Sequence, residues 1–237
     1  MVFKDRTDAG CKLAEKLIEF KNLDVIVLAL PRGGVQIGFE IAKKLNVPLD
    51  VLVVRKLGAP HNPEFGIGAI APGNVRILDD TSIEYLGITE EDVEKIEKQE
   101  RDELNRRVKE YPGTDKMPDL RDKIVILVDD GLATGVTARA AIKAVLTWHP
   151  QKLIIAIPVC AFDAIEGIRS ILRPMNDEII CLSTPLDFSA VGHWYQSFDQ
   201  VSDLEVVDLL NQAQRLKRRS QPPKSFKEQH SGLHKFS

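Results

Sequence analysis

Val125-Ile126-Leu127-Val128-Asp129-Asp130-Gly131-Leu132-Ala133-Thr134-Gly135-Val136-Thr137 is the stretch from which the rest of this chain can be read. An apolar, mostly β-branched run favours an extended strand and delivers two adjacent carboxylates to its carboxyl end. A tight turn with Gly and Thr follows, and a helix opens at Val136-Thr137-Ala138-Arg139-Ala140-Ala141-Ile142. Backbone N–H groups of such a turn and of the helix N-terminus can surround a phosphate. The hydroxyls of Thr134 and Thr137 add short donors, and Gly135 removes the side chain that would block close approach. Asp129 and Asp130 repel a phosphate; they suit neutral vicinal hydroxyls, such as those of a ribose. The plain alternative is an ordinary strand-to-helix turn whose acids cap the helix.

The surroundings of this stretch alternate apolar, β-branched runs with helical patterns. Strands are expected at Val25–Leu30, Leu49–Val54, Lys123–Val128, Leu153–Val159 and Glu178–Leu182, with helices near Thr7–Phe20, Val35–Leu45, Val136–Trp148 and Ala161–Leu172. That order predicts an α/β fold with an open, mainly parallel sheet flanked by helices. Gly66–Ile70 and Asn74–Leu78, split by Pro72-Gly73, predict a hairpin or an irregular flap. From Thr89 to Glu110 the chain is highly charged. Glu91/Lys95, Glu94/Lys98, Glu97/Arg101 and Glu103/Arg107 stand four apart, while Val93, Ile96, Leu104 and Val108 supply only a thin apolar stripe. This reads as a solvated helical insertion with no chemistry of its own. Ser202-Asp203-Leu204-Glu205 fits a capping box that opens a last helix, with Val206, Leu209, Leu210 and Ala213 facing the core.

A length of 237 residues suits one large domain, or one with an appended lid. We expect a domain over residues 1–216, with the insertion at about 81–112 and a hood at about 183–201 joined by the N-terminal segment; a basic, disordered tail is expected over 217–237. No aromatic or groove-binding motif accompanies the basic tail, so a nucleic-acid partner is not expected. A net charge of −3 points to no partner class. Cys11, Cys160 and Cys181 are odd in number and never form Cys-x-x-Cys, which predicts reduced thiols rather than a disulfide frame or a zinc site. The charged start, Met1 to Asp8, lacks an apolar signal core, and no apolar run approaches membrane-spanning length. A cytoplasmic protein with no membrane partner is expected; a homodimer is compatible with the sequence but not indicated by it.

Two further segments bear on the site. The first strand ends in Pro31-Arg32-Gly33-Gly34, where consecutive glycines permit close backbone approach and Arg32 offers a forked donor for phosphate oxygens. The next ends in Arg55-Lys56, two cations at a strand end, with a solvated terminus as the competing reading.

The Asp129–Thr137 stretch resembles the phosphoribosyl-diphosphate (PRPP) motif of the type I phosphoribosyltransferases. Its wording is most similar to the adenine phosphoribosyltransferase branch, and the chain as a whole resembles the predicted phosphoribosyltransferase group of bacteria and archaea. The resemblance implies that Asp129 and Asp130 hold the ribose 2′- and 3′-hydroxyls, and that Gly131, Leu132, Ala133, Thr134, Gly135, Val136 and Thr137 bind the 5′-phosphate. Arg32, Gly33 and Gly34 look like the family's pyrophosphate loop, where an unusual backbone is to be expected, and Arg55-Lys56 resembles a cation pair of the adenine branch. A mobile loop is implied over Ala59 to Gly66, with His61 and Glu64 its ionisable members. Ala133 stands where hypoxanthine-guanine enzymes carry an acid, so this motif assigns no base on the acceptor side.

The implied reaction is transfer of a 5-phosphoribosyl group from Mg²⁺-bound PRPP to a nitrogenous, nucleobase-like acceptor, with release of pyrophosphate. Mg²⁺ would bridge diphosphate and ribose hydroxyls, with water and the acidic pair around it. The acceptor pocket is expected in the hood, from Phe188, Trp194 and Tyr195 as stacking faces and Asp187 or His193 as an orienting group; equally, these aromatics pack the last helix onto the sheet. Two rivals stay open: a non-catalytic PRPP or nucleotide-binding regulator, and a sugar-phosphate phosphohydrolase.

Overall fold

Strands β1 (Val25–Ala29), β6 (Ile124–Val128) and β7 (Lys152–Val159) bury side chains on both faces, as the inner strands of a helix-covered sheet must. With β2 (Leu49–Val51) and β8 (Glu178–Ser183) they form a five-stranded parallel sheet in the order β2-β1-β6-β7-β8. Helices α1 (Arg6–Lys16), α2 (Gly33–Leu45) and α7 (Asp203–Ser220) cover one face through Leu13, Ile37, Ile41 and Leu210. On the other face α5 (Val136–Leu146) and α6 (Phe162–Arg169) bury Ile142, Val145 and Ile168. The computed structural model describes residues 2–111 and 118–220, without the side chains of Glu64 and residues 218–220. None of the helices among the described residues is long and apolar enough to cross a membrane.

The second apolar run departs from expectation. The ladder of β2 stops at Val51; Leu52 still donates its N–H to Ala29, and Arg55 already opens another sheet. Leu52 and Val53 remain buried, one in each core, so the apolar run continues where the pairing does not. The other sheet is antiparallel, β3 (Arg55–Ala59), β4 (Asn62–Ala71) and β5 (Val75–Leu78) in that order. Its second turn places Gly73 and Asn74 at φ +74 and +60, conformations that glycine and asparagine tolerate best. The interval expected as a mobile loop, Ala59 to Gly66, holds the turn of the β3–β4 hairpin and the first part of β4. A methyl at Gly58 would lie 2.4 Å from the Pro63 carbonyl, so this glycine allows the two strands to close.

The charged insertion is α3 (Asp80–Leu86) and α4 (Glu90–Glu110), the latter opened by a Thr89–Asp92 capping box. Its thin stripe seats it more firmly than expected: Val93 and Leu104 are buried with Leu57 and Ile67 of the antiparallel sheet. Two of the anticipated pairs form, Glu97–Arg101 and Glu103–Arg107. The Ser202–Glu205 capping box opens α7, which runs past Leu216 to Ser220; the rest of the basic tail lies outside the described residues.

One edge-strand carboxylate gives a stability test. Burial pushes the Asp50 carboxyl up to about 6 from an ordinary 3.8, opposed by the Val51 N–H that donates to it at 2.8 Å. The folded carboxyl holds its proton more tightly than the unfolded one. Asp50 therefore favours folding below about pH 4, and the advantage fades as pH rises through about 6. Asp50→Asn keeps an acceptor oxygen and cannot ionise. It should be more stable than the unaltered chain near pH 8 by about 1–3 kcal/mol, and equal to it near pH 3.5, which urea melts at the two pH values will measure.

Candidate functional site

The chain passes from β1 to β2 on one side and later returns to β6 on the other, so β1 and β6 flank the point where strand order reverses. In open α/β sheets that crevice, at the carboxyl ends, is where ligands bind. The Pro31–Gly34 loop and the Asp129–Thr137 turn meet there. Leu30 donates its N–H to the Val128 carbonyl at 2.8 Å, joining the end of one strand to the end of the other. The Pro31–Arg32 peptide is cis, and Arg32 occupies the N-cap position of α2. Closeness explains the two glycines that follow. A methyl at Gly34 would lie 2.7 Å from the Val128 carbonyl oxygen, and one at Gly33 only 1.9 Å from Asp130 Oδ2.

Beyond the acids, Leu132 is buried and bonded on both sides: its N–H donates to Val159 and its carbonyl accepts from Ala161. This pins the start of the turn to β7. Gly135 sits at φ +69, with Ala164 close behind it, and α5 begins at the next residue. Ala133, Thr134, Val136 and Thr137 are exposed, so the turn is an open cup at a helix N-terminus whose first N–H groups have no intrahelical acceptor.

The acidic pair is set deeper. The Asp130 N–H donates to Asp129 Oδ1 at 2.9 Å. Burial, and then the neighbouring Asp130 charge, hold the Asp129 carboxyl well above the usual carboxylate range. Asp130 is raised by burial too, with Arg6 pulling the other way: Arg6 Nε donates to Asp130 Oδ2 at 2.8 Å. The Tyr195 hydroxyl donates to the Asp130 carbonyl at 2.6 Å, and burial keeps that phenol protonated.

The remaining candidates are dispersed. Arg32 Nη1 lies 3.7 Å from Asp203, which also accepts from the Tyr111 hydroxyl. Arg55 is held by Glu100 of α4, with Nη2 and Oε2 2.6 Å apart. Lys56 runs past Gly66 to the mouth of α5: a methyl built on Gly66 would lie 3.4 Å from Lys56 Cδ and 3.5 Å from Val136 Cγ1. His61 lines a cavity with Leu86, Ile88 and Asp92 of the insertion, and the Glu64 side chain lies outside the described residues. Asp187 is exposed in the hood, while Phe188 and Trp194 pack against the core, the Trp194 indole N–H buried without a partner. Tyr195 cannot offer a stacking face. Its ring lies between Phe3 and Phe198, with centroids 5.4 and 4.9 Å away, so for this aromatic the packing role holds.

Sequence reasoning passed over Arg6, although it stands on the apolar stripe of α1, in line with Ala9 and Leu13. A charge on a buried stripe was the available signal. Nor did it bring any two cysteines together; Cys160, just after β7, and Cys181, within β8, are free thiols with sulfurs 2.9 Å apart.

The fold is that of an open, parallel α/β sheet with two loops meeting at the strand ends where its order reverses. Residues 5–172 match the family model described as the phosphoribosyl transferase domain, and the chain belongs to that family. It is 42% identical to a Mycobacterium tuberculosis protein named "Putative phosphoribosyl transferase Rv0571c", over 90% of this chain and 47% of that one. The chain thus spans about half the length of the curated relatives it matches. Among solved structures it is similar to TT1426 from Thermus thermophilus, 36% identical with a TM-score of 0.77, over 90% of this chain and 99% of that one.

Proposed function

We propose that the protein transfers a 5-phosphoribosyl group from PRPP to a nitrogenous, nucleobase-like acceptor and releases pyrophosphate. The observation that carries this reading is the meeting of the Arg32-Gly33-Gly34 loop with the Asp129–Thr137 turn at the switch point of the sheet. Thr134, Gly135 and Thr137, with the free N–H groups of α5, would anchor the 5′-phosphate, and Asp129 and Asp130 would accept from the ribose hydroxyls. The C1–oxygen bond breaks with its electron pair leaving on the diphosphate, the acceptor nitrogen bonds to C1, and the acceptor's proton passes to solvent. No protein nucleophile is required; the chain contributes placement and charge. Arg32, Arg55 and Lys56 would stabilise the departing diphosphate.

Mg²⁺ suits this donor set. The described residues contain no group of three or more potential metal ligands, so the ion would be held mainly by PRPP oxygens and water, beside Asp129 and Asp130. When bound, it would neutralise part of the diphosphate charge. The acceptor would lie against the hood, near Asp187, Phe188 and Trp194.

Pyrophosphate release from Mg²⁺·PRPP, with and without a pooled panel of nucleobases, tests the proposal. Acceptor-dependent release supports transfer. Release without any acceptor indicates hydrolysis, and PRPP binding with no release indicates a sensor. A second expectation concerns Glu100, which must give up Arg55 before Arg55 can meet a diphosphate. Glu100→Gln should tighten Mg²⁺·PRPP binding by about two- to fivefold at low salt, since a partly exposed ion pair contributes about 0.2–1 kcal/mol. Calorimetric titration of both proteins will show the sign.

A further inference from the structure

We infer that Arg6 is a positioning residue of the donor site, holding the Asp130 carboxylate in the orientation that meets the ribose hydroxyls. The inference rests on the reading of Asp130 given above. Counted as whole residues, Arg6 is the one charged residue among those described that is buried, at 7% exposed. Removing a guanidinium from water is costly, and a purely space-filling role at this position would be met by an apolar side chain. Its geometry is fully determined. Nε donates to Asp130 Oδ2 at 2.8 Å, Nη1 donates to the Asp199 carbonyl at 2.8 Å, and the guanidinium carbon lies 3.8 Å from the centre of the Phe198 ring. A planar, multiply bonded fork of this kind sets direction as well as charge.

Gly33 crowds the same oxygen: a methyl there would lie 1.9 Å from Asp130 Oδ2 and 2.9 Å from Arg6 Nε, so only a glycine leaves room for this pairing. Asp130 Oδ2 is therefore committed to Arg6 in a space that Gly33 keeps open. Tyr195 holds the backbone carbonyl of the same residue, and its segment is tied to the N-terminal one: Gln196 donates its N–H to Phe3 and Phe3 donates to Trp194, both at 2.8 Å. Arg6 and Tyr195 thus reach Asp130 from the two chain ends that make the hood. By this route the hood, where the acceptor is proposed to sit, is mechanically joined to the residue proposed to grip the donor.

The test is a double-mutant cycle on the full chain, read as the dissociation constant of Mg²⁺·PRPP by calorimetry. Arg6→Met keeps a long side chain against Phe198 and removes the fork. It is expected to weaken binding about tenfold or more in the unaltered background and less than about twofold when Asp130 is already Asn, because coupled residues are non-additive. Arg6→Lys should lie between. Equal losses in the two backgrounds would make Arg6 structural only, and no loss in either would remove it from the site; both outcomes overturn the inference. Should Arg6→Met fail to fold, Arg6→Lys carries the cycle: a loss that disappears with Asp130→Asn supports the inference, and unchanged binding overturns it. Failure of the unaltered protein to bind PRPP would instead overturn the proposed function, and this inference with it.

Discussion

Alanine at Gly33 is expected to weaken Mg²⁺·PRPP binding by about 100-fold or more while leaving the chain folded. The added methyl would lie 1.9 Å from Asp130 Oδ2, 2.6 Å from its Cγ and 2.9 Å from Arg6 Nε, all impossible distances. Something must move. The partners are side-chain ends rather than backbone, so Asp130 swings and its bond to Arg6 breaks before the helix or the sheet shifts. A carboxylate–hydroxyl bond contributes on the order of 1.5–3 kcal/mol, and overpacking adds about 1–3 kcal/mol of strain. The binding loss should thus exceed the change in thermal midpoint, which is expected to fall by no more than about 2–10 °C. Gly167→Ala is the control: its methyl would have 3.7 Å to the nearest atom, on Arg139, and binding should be unchanged. Gly33→Ala binding as tightly as the unaltered protein would remove both Gly33 and Asp130 from the donor site.

Asp130→Asn should raise the dissociation constant for Mg²⁺·PRPP by about 10- to 100-fold, the range for a hydrogen bond to a charged group. Its effect on stability has two opposing parts. Replacing the carboxylate leaves the buried Arg6 without its counter-charge, which destabilises. It also relieves the burial of that carboxylate and its repulsion of Asp129, which stabilises. The opposing parts partly offset, so the thermal midpoint is expected to fall by less than the ~3–5 kcal/mol lost from a broken buried ion pair alone would give, which a thermal melt will measure. A folded variant with unchanged affinity and turnover would take Asp130 out of the mechanism.

What could be read from the chain alone follows the range of the forces involved. The inner strands were legible because burial on both faces demands unbroken apolar runs, and Val125–Val128 and Leu153–Val159 have them. The two loops that meet at the strand ends were legible as turns because glycines, threonines and acids act within a few residues of one another. Leu52-Val53 shows the limit of such reading: burial continued and pairing stopped, and composition reports only the first. The partners of the charged groups were not legible at all. Arg55 could have faced solvent, diphosphate or Glu100, and only the docking of α4 on β3 decides for Glu100. Tyr195 carried the same ambiguity, resolved when Phe3 and Phe198 closed on its ring. Arg6 was hidden by its type, since an arginine near a helix start is ordinarily solvated.

The placement of Asp130 between contributions from both ends of the domain has a consequence for the order in which the chain is made. Arg6 lies 124 positions before Asp130 and Tyr195 lies 65 positions after it, so the contacts around that one carboxylate close long loops in both directions. Ribosomes release a chain from its N-terminus, and domains tend to form as their segments emerge. A nascent chain that has reached the Asp129–Thr137 turn therefore possesses Asp129, Asp130 and Arg6 but lacks the segment that holds the Asp130 carbonyl. Only when Tyr195 and Phe198 have left the ribosome can the setting of Asp130 be completed. The site is thus among the last features to mature, and partial chains should be unable to sequester PRPP during synthesis.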